Sequence, residues 1–258
     1  MFHQDANLSP VHQHNRRGWD AIARGKRRFG QPVRSREFDD ALRAIQGDPW
    51  FEGRLPAARL LCLGSGGGRQ SALYAAAGAT VTVVDISDEM LALDREMAQQ
   101  RRLDVRAVQG SMDAMPALDS SSFDMVVQPV STCYVPDLPA VYAEVARVLV
   151  SGGLYISQHK QPASLQCVKD PSAEGYVLSE PYYRTGPLPP VVHSQHREEG
   201  TFEFLHRWEA LIGGLCRSGF VVEDLSEPAH GKADAPRGTF AHRSNVLPPY
   251  VRMKARRR

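Results

Sequence analysis

Apolar residues along the chain alternate between two spacings, one typical of strands and one typical of helices. Short apolar runs predict buried strands at 59–63, 80–84, 105–108, 123–127 and 154–157. Between them, apolar residues three and four positions apart predict helices at 70–77, 88–100 and 138–150. Alternating strands and helices predict an α/β fold with a doubly wound, mostly parallel sheet and helices on both faces.

The pattern is less regular on both sides of this region. Two helices are predicted between residues 15 and 44, with a break at Gly30, Gln31 and Pro32. Residues 161–206 show no clear period, and regular structure returns with a helix at 208–218 and strands at 219–224 and 250–255. Long irregular segments in compact domains are usually functional, so 161–206 is interpreted as a lid or substrate insertion after the fifth strand. Residues 1–54 are interpreted as a helical segment and 55–258 as the main domain.

Composition excludes several classes of protein. The chain has 31 Lys+Arg against 29 Asp+Glu and is 42% hydrophobic, which is typical of a folded domain rather than a disordered chain. No apolar run approaches the roughly 18 residues needed to cross a bilayer, and the N-terminus lacks an apolar signal core. Four cysteines lie far apart, which argues against a zinc site and a disulfide scaffold. We therefore expect a reduced, cytoplasmic protein without a membrane partner.

Positive charge is concentrated at the two ends of the chain. Residues 1–34 contain seven Lys or Arg, and the tail RMKARRR contains five. Basic segments can dock an anionic partner such as nucleic acid, or they can be a solvated helix face and a frayed end. We favour the second interpretation, so a nucleic-acid partner is not expected. The sequence does not indicate an oligomeric state.

A glycine cluster follows the first predicted strand directly. In LLCLGSGGG, Gly64 permits a tight turn, Gly66 lets a ligand approach the backbone, and Gly68 lets the next helix begin close to the sheet. The amide groups at that helix N-terminus can receive an anionic or carboxylate-bearing group. Arg69 stands where the dinucleotide-binding fingerprint has a further glycine, which speaks against a nicotinamide oxidoreductase.

A carboxylate ends the next predicted strand. Asp85 lies seventeen residues beyond Gly68, where a carboxylate can accept hydrogen bonds from both hydroxyls of a ribose. The alternative is a structural role at the start of the following helix, in competition with Ser87 as its cap. The turn and the carboxylate together predict a ligand that contains a nucleoside.

Five segments occur in the order found in one enzyme family: LLCLGSGGG, VTVVDIS, VQGSMDAMP, SSFDMVVQPV and VARVLVSGGLYI. Over residues 60–157 the chain resembles the class I S-adenosylmethionine-dependent methyltransferases, especially the small-molecule group called type 11. The resemblance implies a seven-stranded sheet with an antiparallel last strand. It also implies S-adenosyl-L-methionine as the cofactor, lying across the ends of the first four strands beneath an N-terminal helical cover.

The resemblance further implies which residues would hold the cofactor. The methionine part would contact Gly64, Ser65 and Gly66, and the ribose would contact Asp85. Ile86 would cover one face of the adenine, and Ser111 and Met112 would border its edge. Gln128 and Pro129 would lie beneath the sulfonium, and the helical cover would contribute Arg16 and Trp19.

Two positions depart from the family pattern. Family members often have an acidic residue where this chain has Cys62, and an Asp where it has Ser111. Cys62 is interpreted as a buried core residue rather than a nucleophile. Ser111 can still accept a hydrogen bond from the adenine, or Asp113 can replace it. For Arg16 and Trp19, a solvated charge and simple packing remain open alternatives.

The catalytic candidates follow from the rule that ligands of such sheets bind outside the carboxyl ends of the strands. That rule selects Tyr134, after the fourth strand, and His159, after the fifth. An activated sulfonium methyl mainly needs a well-positioned acceptor, and a general base helps when the acceptor is a protonated oxygen or nitrogen. His159 is the predicted base because histidine titrates near pH 6.5, and Tyr134 is predicted to shape the pocket. A surface or hydrogen-bonded histidine is the structural alternative.

Side chains of the insertion are predicted to clasp the substrate, namely Tyr182, Tyr183, Arg184, His193 and His196. The HxxH spacing of the last two has no acidic or cysteine partner pattern, so no metal is expected.

The predicted function is methyl transfer from S-adenosylmethionine, by in-line displacement, to an oxygen or nitrogen of a small molecule. One alternative is an RNA or protein methyltransferase that docks through the basic ends. It is weakened because QPVSTCY stands where amino-methylating nucleic-acid enzymes often have Asn/Asp-Pro-Pro-aromatic. The other alternative is a non-catalytic nucleotide-binding module.

Overall fold

A computed structural model describes residues 8–25, 35–65 and 67–258 of the chain. The strands are β1 Arg59–Leu63, β2 Thr80–Asp85, β3 Val105–Gln109, β4 Phe123–Gln128, β5 Leu149–Lys160, β6 Phe220–Ser226 and β7 Tyr250–Arg257. These described residues form one seven-stranded sheet in the order β3-β2-β1-β4-β5-β7-β6. Strands β1 to β5 are parallel, and β7 runs antiparallel to both β5 and β6. The predicted α/β sheet with an antiparallel last strand is confirmed.

The helices of the described ranges surround this sheet. They are α1 Pro10–Arg24, α2 Ser35–Gln46, α3 Gln70–Ala76, α4 Asp88–Arg101, α5 Leu138–Val148, α6 Pro162–Gln166, α7 Gly214–Arg217 and α8 Phe240–Arg243, with a π-helical turn at Glu209–Gly213 before α7. Ser87 caps α4 as predicted, because its side chain accepts a hydrogen bond from the amide of Met90. The predicted break at Gly30, Gln31 and Pro32 lies outside the described residues. The predicted division into 1–54 and 55–258 stays a prediction.

The sheet carries a hydrophobic core on each face. In β1, Leu61 and Leu63 point to the core beside α5 and α7, whereas Leu60 and Cys62 point to the opposite core. Strands that are buried on both faces are typical of parallel sheets covered by helices. Burial, followed by the charges of Asp94 and Asp85, raises the pKa of the Cys62 thiol, as suits an inert core residue.

Strand β1 pairs with β2 on one side and with β4 on the other. The connections that lead to β2 and to β4 therefore lie on opposite sides of β1. A crevice opens between them at the carboxyl ends of these strands. The turn after β1 is joined to its neighbour by a hydrogen bond from the Gly64 amide to the Val84 carbonyl, at 2.8 Å. This crevice lies where the sequence predicts the ligand.

The basic C-terminal tail is an internal strand, so the interpretation of a frayed end is wrong. Strand β7 lies between β5 and β6, and Arg252 pairs with Asp48 at 2.6 Å. Lys254 and Arg256 both pair with Glu52, each at 2.6 Å, and with Glu223. Three positive charges of the strand are therefore matched by carboxylates of the same molecule, and Arg257 donates to the Leu149 carbonyl.

The insertion 161–206 is irregular, as predicted, but it is tied to the carboxyl end of the sheet. After α6 it contains only isolated bridges and turns. Its Leu165 and Leu188 form a small cluster with Leu205, and the Phe204 amide donates to the Cys133 carbonyl at 2.7 Å. Within the described ranges, none of the helices is both long and apolar enough to span a bilayer.

Met253 tests the place of β7 in the core. Its side chain is fully buried, so Met253→Ala should lower the free energy of unfolding by ~2–5 kcal/mol through lost contacts and a cavity. Urea unfolding measures the change. The control Val246→Ala removes a side chain that is 61% exposed, and it should change stability by less than ~0.5 kcal/mol. Equal stability of the two variants would contradict this position of the strand.

Candidate active site

A cavity of about 260 Å³ lies at the carboxyl ends of the parallel strands, beneath α1. One end is formed by the turn after β1 and the end of β2, through Ser65 and Asp85. The other end is formed by Tyr134, Lys160 and Glu198, which come from three separate parts of the chain. The cavity thus joins the predicted nucleoside end to a group of ionisable side chains.

The glycine turn has a conformation that other residues would strain. Gly64 has φ +56°, and a Cβ there would lie 2.9 Å from the Cβ of Ser131. Gly68 has φ +86°, and its Cβ would lie 2.5 Å from the carbonyl oxygen of Leu93 in α4. Glycine is therefore required at both positions, and at Gly68 the close neighbour is the backbone of α4. Gly66 lies outside the described residues.

Asp85 lies at the predicted nucleoside end. It ends β2, lines the cavity and accepts a hydrogen bond from the Ser87 amide through Oδ1, at 2.9 Å. The side chain of Ser87 itself caps α4, so Asp85 does not compete with it. Ile86, Ser111 and Met112 also line the cavity, as expected of residues around an adenine.

Gln128 lies beneath the cavity rather than in its wall. It is buried, and its amide nitrogen donates to the Met112 sulfur and the Ser131 hydroxyl, both at 3.0 Å. Its amide oxygen accepts from the Tyr155 hydroxyl at 2.5 Å. The structure therefore places Gln128 behind two residues that line the cavity, and Pro129 alone of the predicted pair reaches the wall.

Helix α1 forms the cover of the cavity. Trp19 lines it and packs edge-on against Tyr134, with 5.1 Å between ring centroids. The buried amide of Asn15 donates to the carbonyls of Tyr134 and Phe202, at 2.7 and 3.1 Å. Arg16 is not in the wall and pairs with Asp88 at 3.1 Å. Asn15, which the sequence analysis did not select, thus fastens the cover to the site.

Charged side chains form a cluster at the far end of the cavity. The Lys160 ammonium, in a residue that is only 5% exposed, lies 2.8 Å from Glu198 and 2.9 Å from Glu203. Arg197 pairs with Glu203 at 2.8 Å, and the Tyr134 hydroxyl donates to Glu198 at 2.5 Å. Two cations therefore face two carboxylates.

The ion pairs fix the protonation of this cluster. Burial raises the pKa of Glu198, but the charge and hydrogen bond of Lys160 outweigh it and leave that pKa below its ordinary value. Burial and then the charge of Glu198 raise the pKa of the Tyr134 phenol well above its usual range. At neutral pH the wall thus presents an ionised carboxylate that is hydrogen-bonded to a protonated tyrosine.

The structure does not bring His159 to the cavity. Its Nδ1 lies 2.8 Å from the Thr132 hydroxyl and its Nε2 2.7 Å from the Ser157 hydroxyl. Burial, with a smaller effect of His206, lowers the pKa of His159 to about 3. Neighbouring strand residues point to opposite faces, and here Lys160 faces the cavity while His159 faces the other side of the sheet. The geometry therefore does not support the predicted role of His159 as base.

The insertion residues that were predicted to hold the substrate do not line the cavity either. Tyr183 is 75% exposed, and His196 stacks on Phe240 with 5.2 Å between ring centroids. The remaining three predicted residues, Tyr182, Arg184 and His193, are also absent from the cavity wall. Instead, the insertion contributes Glu198. In the ranges described, no group of three or more His, Cys, Asp or Glu side chains is arranged to hold a metal ion.

Comparison with known proteins identifies the family. A family model described as a methyltransferase domain matches residues 61–157. The chain is also similar to the uncharacterized methyltransferase YbaJ of Bacillus subtilis, with 31% identity over 232 residues that cover 84% of this chain and 91% of YbaJ. The chain belongs to the class I S-adenosylmethionine-dependent methyltransferases. The family resemblance and the cofactor predicted from the sequence are confirmed.

Solved structures agree with the fold of this methyltransferase. An S-adenosylmethionine-dependent methyltransferase from Mesorhizobium loti superimposes with a TM-score of 0.64 at 21% identity, over 84% of this chain and 96% of that one. The geranyl diphosphate C-methyltransferase of Streptomyces coelicolor A3(2) gives a TM-score of 0.66 at 17% identity, over 98% and 100% of the two chains. At these identities, the comparisons support the architecture and leave the acceptor open.

The donor set of the cavity fits S-adenosylmethionine. The turn at Gly64 leaves room that a Cβ would fill, and Asp85 offers a carboxylate for a ribose. Gln70, at the start of α3, also lines the cavity, and its buried Oε1 has no hydrogen-bond partner in the described part of the chain. An acceptor without a donor is costly, and the ammonium of an amino-acid end would satisfy it. The residues present therefore suit a nucleoside that carries an amino acid.

Asp85 tests the nucleoside end of the site. Asp85→Ala should weaken binding of S-adenosylhomocysteine by ~1–3 kcal/mol, because charge-assisted hydrogen bonds to the ribose are lost. Titration calorimetry measures the affinity. The matched control is Asp104→Ala, which removes an exposed carboxylate from the opposite end of β3. An unchanged dissociation constant in a folded Asp85→Ala protein would refute the ribose role.

Proposed function

We propose that this methyltransferase transfers a methyl group, by in-line displacement, to an oxygen or nitrogen of a small molecule held beside Tyr134 and Glu198. The observation that carries the proposal is the single cavity lined by Asp85 at one end and by an ionised carboxylate at the other. A nucleoside at Asp85 and an acceptor at Glu198 would share one enclosed space. Such an arrangement suits direct transfer between two bound ligands.

The chain would hold the cofactor by its two ends. Its amino-acid end would lie at the turn of Gly64 and Ser65, and its ribose at Asp85, as the family resemblance implies. The bound cofactor supplies an activated methyl group. Trp19 and Tyr134 pack against each other across the cavity wall and would exclude water from the space where the acceptor meets that group.

Glu198 replaces His159 in our proposal as the group that takes the acceptor's proton. The acceptor atom would bond to the methyl carbon that the bound cofactor supplies, and the electron pair of the broken carbon–sulfur bond would stay on sulfur. The proton of the acceptor then passes to Glu198, whose carboxylate lines the cavity. Lys160 and Tyr134 fix the orientation of that carboxylate through hydrogen bonds of 2.8 and 2.5 Å.

Two observations favour a small acceptor over RNA or protein. The buried Asn15 fastens α1 over the cavity by hydrogen bonds to Tyr134 and Phe202, so the cavity is covered. Arg252, Lys254 and Arg256 of β7 pair with Asp48, Glu52 and Glu223, so these three residues do not form a free basic surface. These contacts support the small-molecule class that the sequence predicts.

The reduced, cytoplasmic location expected from the sequence also stays a proposal. All four cysteines are free thiols, and Cys62 and Cys133 are buried. Free thiols on a scaffold without disulfides are consistent with a reducing compartment.

Transfer of a labelled methyl group tests the acceptor class. The enzyme is incubated with methyl-labelled S-adenosylmethionine and, in separate reactions, a metabolite extract, total RNA or total protein. We expect label in the metabolite fraction, on an oxygen or nitrogen identified by mass spectrometry and NMR. A carbon-bound methyl would overturn the acceptor atom. Label confined to RNA or protein would overturn the small-molecule class.

Glu198→Gln tests the proton acceptor. Loss of the carboxylate should lower turnover by ~10²–10⁴-fold, because a general base contributes a factor of that size. Affinity for S-adenosylhomocysteine should stay unchanged, since Glu198 lies at the acceptor end. The rate of product formation from the labelled metabolite pool measures the effect.

Two further variants make this result specific. Glu199→Gln removes the neighbouring carboxylate, which is exposed, and should leave turnover at the wild-type level. His159→Gln should also retain turnover if the protein folds, because His159 lies outside the cavity. Wild-type turnover in Glu198→Gln, or loss of turnover confined to folded His159→Gln, would reject this assignment.

A further inference from the structure

Asp94 on α4 is a buried carboxylate that the proposed transfer does not use. Its side chain is 0% exposed. The Gly68 amide donates to its Oδ1 at 3.1 Å, the Ser71 hydroxyl donates to the same oxygen, and the Ser65 hydroxyl lies 3.4 Å from both oxygens. All three donors belong to the turn after β1 or to the first residues of α3. One carboxylate therefore connects three points of this turn to α4.

The turn depends on this connection for its conformation. Gly68 has φ +86°, and the α4 backbone beside Leu93 leaves no room for a Cβ at that position. The amide of Gly68 points at Asp94, so the carboxylate satisfies a donor that the tight approach would otherwise bury unpaired. Ser65, which Asp94 also contacts, lines the cavity. A change at Asp94 is thus transmitted to the cavity wall through one side chain.

The negative charge of Asp94 is not offset by an ion pair with any residue in the described ranges. Burial raises the pKa of Asp94 to about 6, although hydrogen bonds from Ser71, Gly68 and Ser65 oppose the rise. Arg95 on α4 lowers this pKa by a smaller effect than the hydrogen bonds, and the charge of Asp94 in turn acts on Cys62 of β1. Charged or titratable groups on the elements packed against α4 include Asp85 on β2, Arg106 on β3, Arg69 and Tyr74 at α3, and Asp20 and Arg24 on α1. The carboxylate is therefore partly protonated just below neutral pH.

The cavity side of the same turn holds an unsatisfied hydrogen-bond acceptor. Gln70 lines the cavity, and its buried Oε1 accepts no hydrogen bond from the described residues. A ligand group that donates hydrogen bonds would satisfy this oxygen. One that is also positively charged would favour the ionised form of Asp94, which accepts a hydrogen bond from Ser71, the residue next to Gln70. The α-ammonium of an amino-acid end has both properties.

We propose that Asp94 is a positioning residue that holds the glycine turn for the amino-acid end of the cofactor and releases its proton when the ammonium group binds. The inference rests on the placement of that end at the turn under the proposed function. Asp94 acts through Ser65 and the backbone and does not touch the ligand. Binding that favours the ionised carboxylate must strengthen as pH rises through the range in which the free protein loses that proton.

Proton release on ligand binding is the direct test. S-adenosylhomocysteine is titrated into the native protein at pH 6 in buffers of different ionisation enthalpy, and the dependence of heat on buffer gives the protons released. We expect release of up to about half a proton at pH 6, none at pH 8, and an affinity about five-fold higher at pH 7 than at pH 5. Asp94→Asn should show no release, and its affinity should lose this dependence on pH.

Two controls make the source of the proton specific. Glu96→Gln removes an exposed carboxylate from the same helix and should release protons as the native protein does. 5′-Methylthioadenosine, which lacks the amino-acid end, should bind to the native protein without release. Heats independent of buffer at pH 6 in the native protein, or full release in a folded Asp94→Asn protein, would overturn the inference. Absence of S-adenosylhomocysteine binding would instead overturn the proposed cofactor site on which it rests.

Discussion

The position of β1 between β2 and β4 is the constraint on which the site depends. Because the two neighbours lie on opposite sides of β1, the crossovers diverge and leave a crevice at its carboxyl end. The glycine turn closes one side of this crevice, and its backbone conformation excludes a side chain at Gly64 and Gly68. Asp85 reaches the crevice only because β2 ends beside that turn, where the Gly64 amide donates a hydrogen bond to the Val84 carbonyl. The topology therefore determines where the crevice opens before any substrate-specific residue is considered.

The acceptor end depends on a different interaction, the buried pairing of Lys160 with Glu198 and Glu203. Lys160 ends β5, and both carboxylates come from the far end of the irregular segment, 38 and 43 residues along the chain. Loss of one member would leave an uncompensated buried charge, which typically costs about 3–5 kcal/mol. The cluster thus fixes a segment without regular structure against the sheet. The same contacts place Glu198 in the cavity wall, so the interactions that hold the insertion against the sheet also form this part of the site.

Periodicity predicted the sheet, its strand positions and the glycine turn because these are local properties. Asp85 was found for the same reason, since the end of a strand is read directly from the chain, whereas Ile86, Ser111 and Met112 were implied by the family resemblance. His159 shows the limit of that approach. The rule about carboxyl ends selects a short stretch of β5, but a strand turns each neighbour to the opposite face, and only packing shows which face meets the ligand. Asn15 and Glu198 gave no local signal, because their partners are distant in sequence. Gln70 gave none either, since its buried Oε1 has no hydrogen-bond partner among the described residues.

Glu198 and Asp94 show how partners determine the use of a charge. Glu198 faces Lys160, which holds its pKa below the ordinary value, whereas Asp94 has only neutral donors, and burial raises its pKa to about 6. Glu198 is therefore a weak base at neutral pH. A weak base is sufficient for methyl transfer, because an oxygen or nitrogen that has begun to bond to the methyl carbon becomes far more acidic than in the free acceptor. The ion pair with Lys160 therefore orients the Glu198 carboxylate and does not make it more basic. Asp94 has no such partner in the described part of the chain and is partly protonated near pH 6, and in our proposal it releases this proton when a positive charge binds at the turn.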